Sequence, residues 1–111
     1  MELGRFKARI ESDTWEADIA NAGKHDLLFE NIRIENDKIK GDLKMQEGFD
    51  GAQATAKYFS ISKRGESFII KTDFFVSTPE EMEIKFVQNN LLIFDKKSKV
   101  EFQIFNKESY N

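Results

Sequence analysis

Few side chains in this sequence could carry acid–base or metal chemistry, and they are scattered. His25 is the only imidazole in the chain, and the neighbouring Asp26 could orient it for proton transfer or zinc binding. Neither a second metal ligand nor a nucleophile stands at a helpful spacing, so we interpret His25 as a solvated loop histidine. The chain contains no cysteine, which excludes disulfides, thiolate zinc sites and a cysteine nucleophile. We therefore expect no metal and no cofactor.

Glu30 is the carboxylate whose sequence neighbours most suggest a role. Strand alternation places it on the same face as Leu28, Ile32 and Ile34, opposite Leu43 of the next strand. A carboxylate on an apolar face is costly unless it is paired, and such groups serve catalysis or orient ligands. The alternative, which we favour, is that the strand bulges near Glu30 or that an arginine pairs with it.

Phosphate-binding glycine motifs are absent from the chain, and a serine without a histidine partner does not make a catalytic triad. Asp73 lies on the less apolar face of its predicted strand, and we expect its side chain to be exposed to solvent. Aspartate, glutamate and threonine side chains remain available for catalysis, but no pair of them stands out. We therefore predict that the protein is not an enzyme.

The elements that would position these side chains are strands, because apolar residues alternate along most of the chain. Phe6, Ala8 and Ile10 are expected to line one face of a first strand. Asn36-Asp37 predicts a two-residue hairpin turn with Ile34 opposite Ile39. About eight or nine short strands result. We predict one all-β domain over residues 1–111, an antiparallel meander that forms a small sandwich or a closed barrel with at most one short helical turn.

The last three strands carry the best-specified apolar face. A three-residue loop at 88–90 predicts that Phe86 pairs with Leu92, and a loop at 96–98 predicts that Phe94 pairs with Val100. The shared core face is then Met82, Ile84, Phe86, Leu92, Phe94, Val100, Phe102 and Ile104. A second apolar set has the opposite parity: Phe29, Tyr58, Ile69, Phe75, Val87, Leu91, Ile93 and Phe105. This second set is either covered by the segment 46–56 or forms a docking surface.

These patterns favour a small non-catalytic binding module that docks a protein partner, as inhibitors, immunity proteins, adaptors and assembly subunits do. The partner is a different protein or a second copy of the chain. We expect the contact to involve a sheet face and the longer loops, at Phe29, Glu30, Phe49, Asp50, Tyr58, Phe75 and Phe105. An alternative is a calycin-like barrel that carries a small apolar ligand, with Glu30 or Trp15 near its mouth. A carboxylate-based enzyme is a minor alternative.

Composition narrows the range of partners. The 111 residues include 20 acids and 17 bases, so the formal net charge is −3. Without a basic stripe we expect no nucleic-acid binding. No apolar run approaches the ~20 residues of a membrane span, and residues 1–5 lack the pattern of a signal peptide. We therefore expect no membrane association and a cytoplasmic location.

Overall fold

Eight antiparallel strands form a closed barrel, preceded by one helix. The computed structural model describes residues 1–18, 24–45, 56–75 and 79–109. Each strand pairs with the next along the chain, and β1 also pairs with β8. The elements are α1 (Leu3–Ser12), β1 (Trp15–Asp18), β2 (Lys24–Glu35), β3 (Lys38–Met45), β4 (Lys57–Arg64), β5 (Ser67–Thr72), β6 (Glu81–Val87), β7 (Asn90–Asp95), β8 (Val100–Asn106) and a 3₁₀ turn at Lys107–Ser109. The predicted all-β antiparallel meander is confirmed. Of the two predicted arrangements, a small sandwich or a closed barrel, the structure has the closed barrel. No helix in these four ranges has the length and apolarity to cross a membrane.

The hairpin between β2 and β3 follows its turn residues. Asn36 and Asp37 have φ angles of 53° and 61°, the left-handed conformation that asparagine and aspartate tolerate. Ile34 lies opposite Ile39, as the sequence predicts. A second two-residue turn joins β4 to β5 at residues 65–66, where Gly65 has a φ of 65°.

The first predicted strand is wrong, because Leu3–Ser12 is a helix of ten residues. Phe6 and Ile10 are buried on one side of α1 whereas Ala8 is exposed. Leu3, Phe6 and Ile10 follow a spacing of three and then four residues, which places them on one helical face. Three alternating apolar residues are too short a signal to distinguish the two periods. The helix also exceeds the single turn that we predicted.

The predicted register of β6 with β7 is wrong by one residue. Val87 pairs with Asn90 across a two-residue turn, so Ile84 lies opposite Ile93. Because side chains alternate in a strand, this shift exchanges the two faces of β7. Leu91 and Ile93 are buried in the core. Leu92 and Phe94, contrary to the prediction, point outwards and are half-buried.

The turn between β7 and β8 is also one residue longer than predicted. Asp95 pairs with Val100, rather than with Lys99, which has a φ of 60° inside the turn. The Asp95 carboxylate accepts hydrogen bonds from the hydroxyl and the backbone N–H of Ser98, at 2.7 and 2.9 Å. These two hydrogen bonds, the hydroxyl first, lower the pKa of Asp95. The predicted inward orientation of β8 is nevertheless retained, since Ile104 is buried.

Helix α1 closes one end of the barrel through a chain of aromatic contacts. The Phe6 ring lies 4.3 Å from that of Phe68 and 4.7 Å from that of Phe86. Phe86 contacts Trp15, whose indole Nε1 donates a 2.9 Å hydrogen bond to the carbonyl of Ile10. The helix is therefore fixed to the strands by ring packing and by a buried hydrogen bond to its last turn.

The barrel interior is filled by side chains of the described residues. Twelve large ones have exposed fractions below 2%: Phe6, Phe59, Ile10, Leu27, Ile39, Leu43, Ile61, Ile70, Ile84, Leu91, Ile93 and Ile104. At the end opposite α1, Phe75 stacks on Phe102 with ring centroids 4.4 Å apart. The interior of an eight-stranded barrel is about wide enough to be filled by side chains in this way.

Candidate functional site

Strand β2 is much longer than its neighbour β1, and this difference leaves part of one edge open. β2 has 12 residues and β1 has 4, and the two pair only over Lys24–Leu27. Within the described ranges, residues 28–35 have a strand partner on the β3 side only. We call this stretch the free edge of β2. The residues before Trp15 do not continue β1 alongside β2. They turn away from β2 and belong to the end of α1 and its connection to β1.

A groove of about 410 Å³ lies between the free edge of β2 and the last turn of α1. Its apolar lining consists of Ile10, Trp15, Leu27, Leu28, Phe29 and Ile32. Its polar lining consists of Glu11, Asp13, Thr14, Asp26, Glu30, Asn31 and Lys107. The groove therefore combines an apolar floor with four carboxylates and one amine.

A β-bulge shapes the strand that forms this groove. The register between β2 and β3 shifts between Glu30 and Arg33, and Asn31 has a φ of 54°. The Asn31 amide donates a 3.0 Å hydrogen bond to the Asp42 carboxylate on β3. Opposite the bulge the backbones approach so closely that a Cβ on Gly41 would lie 2.7 Å from the Glu30 carbonyl oxygen.

The bulge decides where Glu30 points. Glu30 pairs with Asp42 rather than Leu43, and its side chain is exposed. The predicted position on an apolar face is therefore wrong, and the bulge that we favoured is confirmed. Phe29 takes the inward place opposite Leu43, where its ring contacts those of Trp15 and Phe59 at 6.4 and 5.8 Å.

The acidic side chains of the groove differ in their ionic partners. Lys107 binds Asp26 at 2.8 Å, and this hydrogen bond raises the pKa of Lys107. Glu11 is paired with Lys7 one helical turn earlier. Asp13 and Glu30 have no ion pair with any residue that the structure describes. Of the four carboxylates, two on the rim therefore have no ionic partner among the described residues.

The structure brings together only some of the residues that the sequence nominates. Phe29 and Glu30 line the groove beside Trp15. Tyr58 is exposed on the outside of β4, opposite Asp42. The prediction that Phe75 lies on the surface is wrong, since only 4% of this residue is exposed. Phe49 and Asp50 lie outside the described residues.

Two further residues named in the sequence predictions, Phe105 and His25, lie on β8 and β2. Phe105 is half-buried on the outside of β8, opposite Glu16 of β1. His25 lies in β2, paired with Ala17, and is half-buried. The interpretation of His25 as a loop residue is therefore wrong. Neither residue lines the groove.

The predicted second apolar set is wrong for Leu91 and Ile93, which are buried in the core. Leu92 and Phe94 take their outward places, so the outer apolar face of β6–β8 consists of Val87, Leu92, Phe94 and Phe105. Of these, Val87 is 45% exposed and the other three are half-buried. The Lys85 amine lies 5.0 Å from the centroid of the Phe94 ring and covers part of it. This outer face is a weaker candidate than the groove.

Sequence reasoning missed the helical side of the groove. Ile10, Glu11 and Asp13 contribute to it only because α1 is a helix. The spacing of Leu3, Phe6 and Ile10 was the available signal for that helix.

Comparison with known proteins identifies no relative of this chain. No family model matches it, and no curated protein or solved structure matches it. In the part of the chain that the structure describes, no three histidine, aspartate or glutamate side chains are grouped so as to hold a metal ion.

Proposed function

We propose that this protein is a binding module that docks an extended segment of a protein partner in the groove between α1 and β2. The observation that carries the proposal is the free edge of β2 beside an apolar floor. A strand edge offers backbone N–H and C=O groups to another chain, and the adjacent apolar surface gains free energy when that chain covers it.

The shape of the groove favours a chain segment over a compact small molecule. Its stretch along the free edge of β2 runs from Leu28 to Ile32. At about 3.3 Å per residue this stretch of strand spans about 13 Å. A small apolar ligand would instead need a chamber inside the barrel, where twelve large side chains of the described residues have exposed fractions below 2%. The carrier hypothesis has less support for this reason.

Selection from a random peptide library displayed on phage tests the proposal without assuming a sequence for the partner. Peptides enriched on the wild-type protein are then measured against Leu28→Gln, which places a polar side chain in the groove. Leu92→Gln on β7 is the matched control, because Leu92 is also an outward-pointing, half-buried leucine but lies outside the groove.

We expect the selected peptides to bind Leu28→Gln about tenfold more weakly and Leu92→Gln as tightly as wild type, since burial of a leucine side chain is worth about 1.5–3 kcal/mol. Unchanged binding to Leu28→Gln would contradict the proposal. Loss of binding in Leu92→Gln alone would move the docking surface to the outer face of β6–β8.

A further inference from the structure

The proposed docking function leaves open what kind of segment the groove takes, and three features of the groove bear on this. The first is the backbone geometry of β2. Glu35 and Lys38 flank a two-residue turn, so they exchange both hydrogen bonds across the hairpin. The next residue, Ile34, therefore directs its N–H and C=O to the free edge, beyond the end of the groove. Within the groove Phe29 does the same, because the carbonyl oxygen of the neighbouring Glu30 faces Gly41 of β3. An incoming strand finds donors and acceptors there.

The second feature is the alternation of side chains along β2. Phe29 points to the interior, whereas Leu28 and Glu30 point outwards. A strand added beside β2 alternates in the same way, because neighbouring strands share their pleat. Every second side chain of the occupant then faces the floor formed by Trp15 and Phe29, and the others stand beside Glu30.

The third feature is the charge of the rim. Lys107 and Glu11 are already paired with Asp26 and Lys7. The rim charges without an ionic partner among the described residues are the carboxylates of Asp13 and Glu30. A cationic side chain beside Glu30 completes a cross-strand pair, whereas an anionic one is repelled.

From these features we infer that the groove takes an extended, basic segment of a partner protein, which adds as a strand to the free edge of β2. The segment alternates apolar side chains, which face the floor, with lysine or arginine side chains, which face the rim. The inference rests on the proposed docking function and adds the chemistry and conformation of the occupant.

Synthetic peptides test this with a built-in reporter, because Trp15 is the only tryptophan in the chain and lines the groove. The probe is the acetylated, amidated heptapeptide Lys-Val-Lys-Val-Lys-Val-Lys, titrated at low salt while the Trp15 emission is followed. The first comparison peptide replaces every lysine with glutamate. Two further peptides keep all side chains but carry N-methyl groups on alternate residues, one peptide in each of the two frames, so that one of them cannot pair with the edge of β2.

We expect saturable binding of the lysine peptide, with affinity about tenfold higher than that of the glutamate peptide and falling as salt rises. Both N-methylated peptides are tested. The one whose methyl groups replace the N–H groups that would face β2 is expected to bind about tenfold more weakly. Equal binding of the lysine and glutamate peptides would overturn the basic character of the occupant. Equal binding of the parent and both N-methylated peptides would overturn strand addition, and the absence of any binding would overturn the inference as a whole.

A pair of double variants locates the charge effect. Neutralising the rim with Asp13→Asn and Glu30→Gln is expected to weaken the lysine peptide roughly two- to fivefold per carboxylate. The control, Glu66→Gln with Glu101→Gln, changes the net charge equally at two exposed positions outside the groove. If both double variants lost the same affinity for the lysine peptide, the effect would come from net charge, and this result would contradict binding beside Asp13 and Glu30. If library peptides require Leu28 but are neither basic nor extended, the docking function stands and this inference fails.

Discussion

Replacement of Phe6 by alanine tests how α1 closes the barrel. The Phe6 side chain is 1% exposed, and its ring packs on those of Phe68 and Phe86. Removal of a buried phenylalanine ring typically costs about 3–5 kcal/mol, from lost burial and from the cavity that remains. The two ring contacts place Phe6 in the upper part of that range. Since small domains have about 5–15 kcal/mol of stability, the loss is a large share of the total.

Urea unfolding followed by circular dichroism measures this loss, and Ala8→Lys supplies the decisive comparison. Ala8 is exposed on the opposite side of α1, so we expect Ala8→Lys to change the free energy of unfolding by less than about 0.5 kcal/mol. In a strand, residues 6, 8 and 10 would share one buried face, and both substitutions would be costly. A large loss in Ala8→Lys, or a loss below about 1 kcal/mol in Phe6→Ala, would refute the helical closure.

Three further substitutions probe other parts of the structure. Gly41→Ala should destabilise the protein by about 2–3 kcal/mol in urea unfolding, because the new Cβ meets the Glu30 carbonyl oxygen at 2.7 Å; a neutral effect would contradict the bulge geometry. Trp15→Phe should cost about 2–3 kcal/mol in thermal unfolding, since it leaves a buried carbonyl of α1 without its donor and removes ring volume, and an unchanged melting temperature would argue against that hydrogen bond. Ser98→Ala should raise the pKa of Asp95 in a carboxyl NMR titration, because the Ser98 hydroxyl favours the ionised form. A pKa that is lowered by folding stabilises the protein above the unfolded pKa, and this contribution is lost as pH falls through the folded value, so the variant should lose less stability than wild type on acidification.

The hairpin between β2 and β3 illustrates what local sequence determines well. Asn36 and Asp37 adopt positive φ angles at low cost, and a two-residue turn leaves a single register for Ile34 and Ile39. Between β6 and β7 the same kind of information was ambiguous. Both Asn89 and Asn90 suit a turn, yet Gln88 takes the positive φ of 59°. A difference of one residue in that turn then reversed the faces of β7.

The groove shows why a site can be harder to predict than a fold. Phe29 and Glu30 were nominated from strand alternation, and they do line it, but through a bulge that separates their orientations. Asp13 was not nominated, because its place depends on the helix that precedes it. The free edge arises from the unequal lengths of β1 and β2, which is a property of the closed barrel and not of either strand's own sequence.

Amide hydrogen exchange measured by NMR, with and without the alternating lysine–valine peptide, tests most directly whether β2 accepts a further strand. We expect slower exchange at those amides of the free edge, residues 28–35, that face the added strand, together with a shift of the Trp15 indole resonance. Amides of β7 on the outer face should be unaffected. Slower exchange on β7 with no change along the free edge of β2 would contradict strand addition to β2.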